Sequence, residues 1–192
     1  MGPVGPTGAG CDMAYGGLFN TDSGEFCTQP DEIAAMTFSG RLPCAGVHYD
    51  GNHSLVLEND GVYEIQYTLR AASKSRSQLC MAVANDGVPI PCSRVCKDVA
   101  GGSDIELSCM AVTEAHAGAH LHLIAYGGNC GCECFMLGEG VNLMLYAKKL
   151  GELPDPPPGH DYERGRERGH EREPRFGNSF ERERGHDHSP HR

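Results

Sequence analysis

The sequence predicts an all-β fold, an antiparallel sandwich or jelly roll of roughly eight to ten short strands. Three observations point there. Apolar and polar residues alternate with period two in several runs, turn-forming residues separate those runs, and no segment carries a helical apolar stripe.

The clearest run is Val62 to Arg70, where Tyr63, Ile65, Tyr67 and Leu69 fall on one face and Glu64, Gln66, Thr68 and Arg70 on the other. Ile105, Leu107, Cys109 and Ala111 alternate with Asp104, Glu106 and Ser108, and Leu121, Leu123 and Ala125 alternate with His120 and His122. Val141, Leu143, Leu145 and Ala147 form a further face. Shorter candidates are Ile33 to Phe38, Ser54 to Glu58, Gln78 to Ala84 and Val88 to Pro91. Between the runs stand Asn59-Asp60-Gly61, Asn85-Asp86-Gly87, Ala117-Gly118 and Gly127-Gly128-Asn129, residues that tolerate positive φ. Asn85 to Gly87 reads as a tight hairpin.

Composition divides the 192 residues into one core and two appendages. Residues 1–13 hold the triplets GPV-GPT-GAG, with Gly2, Gly5 and Gly8 in register. Glycine at every third place is what the crowded axis of a triple helix demands. Residues 14–150 carry nearly all the apolar side chains. Residues 151–192 are built from Pro, Arg, Glu, His and Gly, with R-E-R-G-H at Arg166 to His170 and again at Arg182 to His186. Such a segment has too little apolar surface to offset chain entropy, so we expect it to be disordered.

The net charge of −10 sits mostly on the core: the tail from Glu152 carries 10 acids and 8 arginines, the rest of the chain 16 acids and 8 basic residues. An acidic core lacks the clustered Lys and Arg that neutralise phosphates, which excludes nucleic-acid binding. No apolar run reaches the roughly 18–20 residues of a membrane span. Met1 leads into a Gly-Pro triplet rather than a basic and then apolar leader. The expectation is a processed start, or delivery to a surface outside the general secretory route.

The Gly-X-Y stem runs into AYGGLFNTDSGEF (Ala14–Phe26), then a strand ending in MTFSG (Met36–Gly40), then GVHYDGNHSLVLENDGVYEIQY (Gly46–Tyr67). VANDGVPIP (Val83–Pro91) and a final VNLMLYAKKL (Val141–Leu150) follow. This order of landmarks resembles the C-terminal domain of the collagen-like glycoproteins of the exosporium, the outer layer of certain bacterial spores. The resemblance covers about Ala14 to Leu150. It implies a jelly roll similar to tumour necrosis factor, three copies of which pack around an axis and hold three collagen strands in register. The chain departs from the pattern in its cysteine content, its stem of only three triplets and its charged tail.

Four residues, Met110, Ile124, Met144 and Tyr146, are apolar at nominally outward strand positions and are the candidates for the trimer interface. Ten cysteines stand at 11, 27, 44, 80, 92, 96, 109, 130, 132 and 134. Cys80 and Cys109 fall in strand-like runs and read as small buried hydrophobes. N-C-G-C-E-C puts Cys130, Cys132 and Cys134 at alternate places in an expected loop, where disulfides or interchain cross-links are the leading reading, with Cys92 and Cys96 as further participants, and unremarkable free thiols are the second. Zinc is the weaker reading: structural zinc ligands come as C-x₂₋₄-C pairs with a matching pair elsewhere, and Cys92 and Cys96 are the nearest fit. His120 and His122 share a strand face near His116 and are weak metal candidates; polar alternation on a solvated face explains them as well. His48, Tyr49, Asp50 and His53 read as loop decoration.

No nucleophile beside a base, phosphate-cradling glycine loop or dinucleotide fingerprint stands in a fitting context. The expectation is a non-enzymatic homotrimer without cofactor on a bacterial spore surface, joined to other surface proteins through cysteines. The alternative is a receptor- or glycan-binding tip of a phage fibre or adhesin, its loops meeting a host surface.

Overall fold

The computed structural model describes residues 13–29, 32–51, 53–127 and 132–154. The Gly-X-Y triplets, Cys11, Cys130 and the tail from Asp155 lie outside them, so the expectations placed there are not addressed by the structure.

Fourteen strands are described: β1 (Tyr15–Asn20), β2 (Gly24–Thr28), β3 (Ala34–Ala35), β4 (Gly40–Arg41), β5 (Val47–Asp50), β6 (Ser54–Leu57), β7 (Gly61–Ser73), β8 (Ser77–Asn85), β9 (Val88–Pro89), β10 (Val95–Val99), β11 (Ser103–Ala115), β12 (His120–Gly127), β13 (Glu133–Leu137) and β14 (Leu143–Gly151). The one helical piece among the described residues is a 3₁₀ turn at Pro91–Ser93. All pairings are antiparallel. One sheet runs β2-β13-β7-β14-β1-β4, with β11 along the free edge of β7; the other runs β10-β8-β12-β6-β5, with β3 beside β12 and β9 beside β8.

Period-two alternation becomes this architecture because each sheet must bury one face. Along β7 the buried places are Tyr63, Ile65, Tyr67, Leu69 and Ala71, and on β14 they are Leu143, Leu145 and Ala147. Leu55, Leu57, Leu79, Met81, Val83, Leu121 and Leu123 meet them from the second sheet, none more than 1% exposed.

Apart from Asn85 Oδ1, the buried side-chain polar atoms of the described residues are partnered. The Tyr67 hydroxyl donates toward the carbonyls of Ser93 (2.9 Å) and Met81 (3.2 Å), and burial raises its pKa, keeping it a neutral donor. Ser93 Oγ accepts from the Val83 amide (2.8 Å) and donates to the Ile90 carbonyl (2.7 Å). The 3₁₀ turn is thereby pinned to both sheets. At one rim Asn20 Nδ2 donates to Asn142 Oδ1 (2.9 Å), while Asn142 Nδ2 donates to the carbonyls of Asp22 and Gly138.

The Asn85–Gly87 hairpin is present: Asn85 pairs with Val88, and the two turn residues take φ of 49° (Asp86) and 82° (Gly87). Elsewhere the structure corrects the sequence reading. Ile33 to Phe38 contributes only the two-residue β3, and Val141 stands exposed ahead of β14. The strands at Tyr15–Asn20, Gly24–Thr28, Val95–Val99 and Glu133–Leu137 lack long alternation and take their conformation from neighbours. Cys134 consequently lies within a strand, not a loop.

Candidate functional site

The outward face of the first sheet is set by register. Thr68 on β7 lies opposite Met144 of β14 and Ser108 of β11, Gln66 opposite Tyr146 and Met110, and Glu64 opposite Lys148 and Val112. On β14, Met144 in turn faces Phe19 of β1, and Tyr146 faces Gly17. Met110 (63% exposed) and Val112 (51%) project fully, while Phe19, Met144 and Tyr146 are half-buried. A Cβ on Gly17 would come within 2.8 Å of Leu42 Cδ1 and 3.2 Å of Tyr146 Cδ2, so the absence of a side chain there makes room for the tyrosine ring. Glu64, Gln66 and Thr68 form a polar column between these apolar flanks, with Gln66 Nε2 donating to Glu64 Oε1 at 2.9 Å.

Three of the four interface candidates, Met110, Met144 and Tyr146, thus share one face. Ile124 does not. It lies on β12 in the second sheet, 4% exposed, in a separate cluster with Ala82, Ala84 and Tyr126. Alternation had marked it as outward, and it is outward from the main core; it is nevertheless buried within the subunit.

Two disulfides join residues directly opposed across antiparallel pairs: Cys27 of β2 with Cys134 of β13 (Cα–Cα 4.1 Å), and Cys80 of β8 with Cys96 of β10 (Cα–Cα 4.0 Å). Cys80 is buried, as expected, but as one half of a bridge rather than as a free thiol. Cys44, Cys92, Cys109 and Cys132 are free thiols. Cys92, on the 3₁₀ turn, lies against β11, and the Cys109 thiol reaches its carbonyl at 3.7 Å. Burial, and secondarily Cys92, raises the Cys109 pKa. Cys92 and Cys96 therefore serve different partners, and among the described residues neither completes a metal set with Cys132 and Cys134. Cys132 stands one residue before β13, its Sγ 3.9 Å from Cys134 Sγ.

The histidines divide. His116 Nδ1 lies 3.4 Å from Asp60, whereas His120 Nδ1 is 3.6 Å from Asp50 and its ring stacks with that of His122 at 6.2 Å. Burial, then the charge on His120, holds the His122 pKa below its ordinary value. Among the described residues, the one group of three or more His, Cys, Asp or Glu whose ligand atoms lie within 4.8 Å of one another is Cys27, Cys132 and Cys134. A cleft of about 640 Å³ is lined by Arg70, Lys97, Asp104, Glu106 and Glu139 along with apolar residues, and holds neither thiol nor imidazole. No helix of the described residues is long and apolar enough to cross a membrane.

The cysteine partners Cys27 and Cys80 were missed because each bridge depends on strand register, Cys134 across from Cys27 over 107 positions of chain. A sequence shows no signal for that beyond the cysteines themselves.

No protein-family model and no curated protein sequence matches the chain. Solved structures do. Eiger TNF from S. frugiperda is similar with a TM-score of 0.55 at 12% identity, over 76% of this chain and 96% of that one. The globular domain of zebrafish complement 1qA protein gives 0.52 at 12% identity, over 73% and 99%. Murine APRIL gives 0.52 at 10% identity, over 72% and 99%. The fold is that of the tumour-necrosis-factor and C1q-like jelly rolls.

Proposed function

We propose that this jelly roll is a non-enzymatic structural module that assembles as a homotrimer through the outward face of its first sheet, and that it caps and aligns a collagen-like stem on a bacterial spore surface. The observation that carries the reading is the face itself: Phe19, Met144 and Tyr146 on β1 and β14, and Met110 and Val112 on β11, flank the polar column of β7, two of them more than half exposed in the single subunit. Apolar groups gathered on one sheet face mark a surface that another protein covers. A threefold assembly also supplies what three triplets cannot, since each residue ordered in a triple helix costs roughly 1–2 kcal/mol of backbone entropy.

The spore-surface placement rests on the order of landmarks behind the Gly-X-Y triplets. Light scattering on the purified full chain at micromolar concentration is expected to give three times the 20.6 kDa chain mass; a well-folded monomer would remove the assembly reading. Immunogold labelling of intact spores tests the location. Labelling confined to phage fibres or to vegetative-cell adhesins would instead favour the receptor- or glycan-binding head.

A further inference from the structure

We propose that Cys27, Cys132 and Cys134 form, once the Cys27–Cys134 bridge is reduced, a three-thiolate site for one soft divalent ion of the zinc class. The inference is independent of the assembly reading, because it uses only the β2–β13 pair and the residue ahead of it.

The C-x-C spacing alone supplies two sulfurs, and the missing third could not be found by spacing. It comes from register: β2 lies against β13 so that Cys27 is opposite Cys134. Cys132 and Cys134, two apart, direct their side chains to the same side, and the three Sγ atoms lie within 4.8 Å of one another. Cys27 and Cys132 are exposed and Cys134 half-buried, so an ion has access.

The placement of Cys132 separates two chemistries. Thiol–disulfide exchange requires the attacking sulfur on the extension of the S–S bond. There, Cys132 would stand roughly 6 Å from the far sulfur, given a disulfide length of about 2 Å. Its Sγ is within 4.8 Å of both bridge sulfurs and so lies beside the bond, the third corner of a triangle. A triangle suits a shared ion: thiolates at about 2.3 Å from a tetrahedral zinc are about 3.8 Å apart, and Cys132 and Cys134 stand 3.9 Å apart. Among the described residues no fourth thiol, imidazole or carboxylate joins these three, which leaves the fourth corner open.

The balance is explicit. An external dithiol delivers two electrons and two protons to the Cys27–Cys134 bridge and is itself oxidised to a disulfide. The resulting Cys27 and Cys134 thiols, with that of Cys132, then release three protons as three thiolates bind one divalent ion. In the reverse direction an external small-molecule disulfide takes two electrons from Cys27 and Cys134 and, with two protons, leaves as two thiols. The bridge is restored, Cys132 takes up a proton and the ion is released, so the same three residues are a covalent tie in one redox state and a soft-metal site in the other.

The test uses the full-length chain, reduced with a dithiol, freed of it anaerobically and titrated with Cd(II) alone. The readouts are thiolate-to-cadmium charge-transfer absorbance and competition with a chromophoric chelator. One tight equivalent is expected in the reduced protein, and at least tenfold weaker binding in Cys132→Ser and Cys27→Ser. Cys44→Ser and Cys92→Ser should leave affinity unchanged, and the oxidised wild type should lack the tight equivalent. Cys132→Ser sits in an exposed position ahead of β13 and leaves the bridge intact; its far-UV circular dichroism checks that the fold is kept. Equal affinity in reduced wild type and Cys132→Ser, or tight binding by the oxidised chain, overturns the proposal.

Discussion

Introducing the same charge at two apolar positions should produce two different failures. Ile124 is 4% exposed and packs within one subunit against Ala82 and Ala84. Ile124→Asp forfeits about 1.5–3 kcal/mol of side-chain burial and adds roughly 3–5 kcal/mol for an unpaired carboxylate. That is comparable with the 5–15 kcal/mol that holds a typical domain together. Met144 is half-buried on the outward face of the first sheet, so Met144→Asp should cost the isolated subunit no more than about 1 kcal/mol. In a trimer the change is made three times in a desolvated contact. At roughly 3 kcal/mol per copy, it moves the association equilibrium by about six orders of magnitude. Size exclusion with light scattering and far-UV melts at micromolar concentration separate the cases. Ile124→Asp should lose its cooperative melt or aggregate, and Met144→Asp should remain folded at one-third of the wild-type mass. A Met144→Asp protein of unchanged mass, or an Ile124→Asp protein with the wild-type melt, would refute the division of the two faces.

Tyr67→Phe removes the hydroxyl that donates toward Ser93 and Met81, leaving buried carbonyls short of a donor, and should cost about 1–2 kcal/mol, read as a lowered midpoint in urea with unchanged slope. Cys134→Ser opens a bridge across 107 positions and Cys96→Ser one across 16, so chain entropy predicts about 4–5 and about 3 kcal/mol respectively; denaturant titration of each variant under oxidising conditions should give that order. His122 titrates below its ordinary 6.5 because burial and His120 disfavour its charged form, so the unfolded chain binds the proton more readily. Its contribution is complete above about pH 6.5 and is lost as pH falls toward the depressed folded value. A His122→Gln variant should flatten the decline of the thermal midpoint between pH 6.5 and 5, and an unchanged decline would place the titrating group elsewhere.

The sequence by itself determined the fold class and the inward face of each long strand. Tyr63 to Leu69 and Leu121 to Ala125 alternate, and a side chain's face is fixed by counting along one strand. It also determined the Asp86-Gly87 turn, because positive φ is a local demand that few residues meet. Only the tertiary structure decided which sheet each strand joins. Met110, Met144, Tyr146 and Ile124 look alike as outward apolar residues, yet pairing with β7 gathers three on an exposed face, while pairing with β8 buries the fourth beside Ala82. The cysteines show the same division. Spacing sets Cys132 and Cys134 on one side of the chain, but Cys27 reaches them through the β2–β13 register, and Cys80 meets Cys96 through that of β8 and β10. Register between distant strands is fixed by the fit of two faces to a common core, a property of the pair that neither segment carries alone.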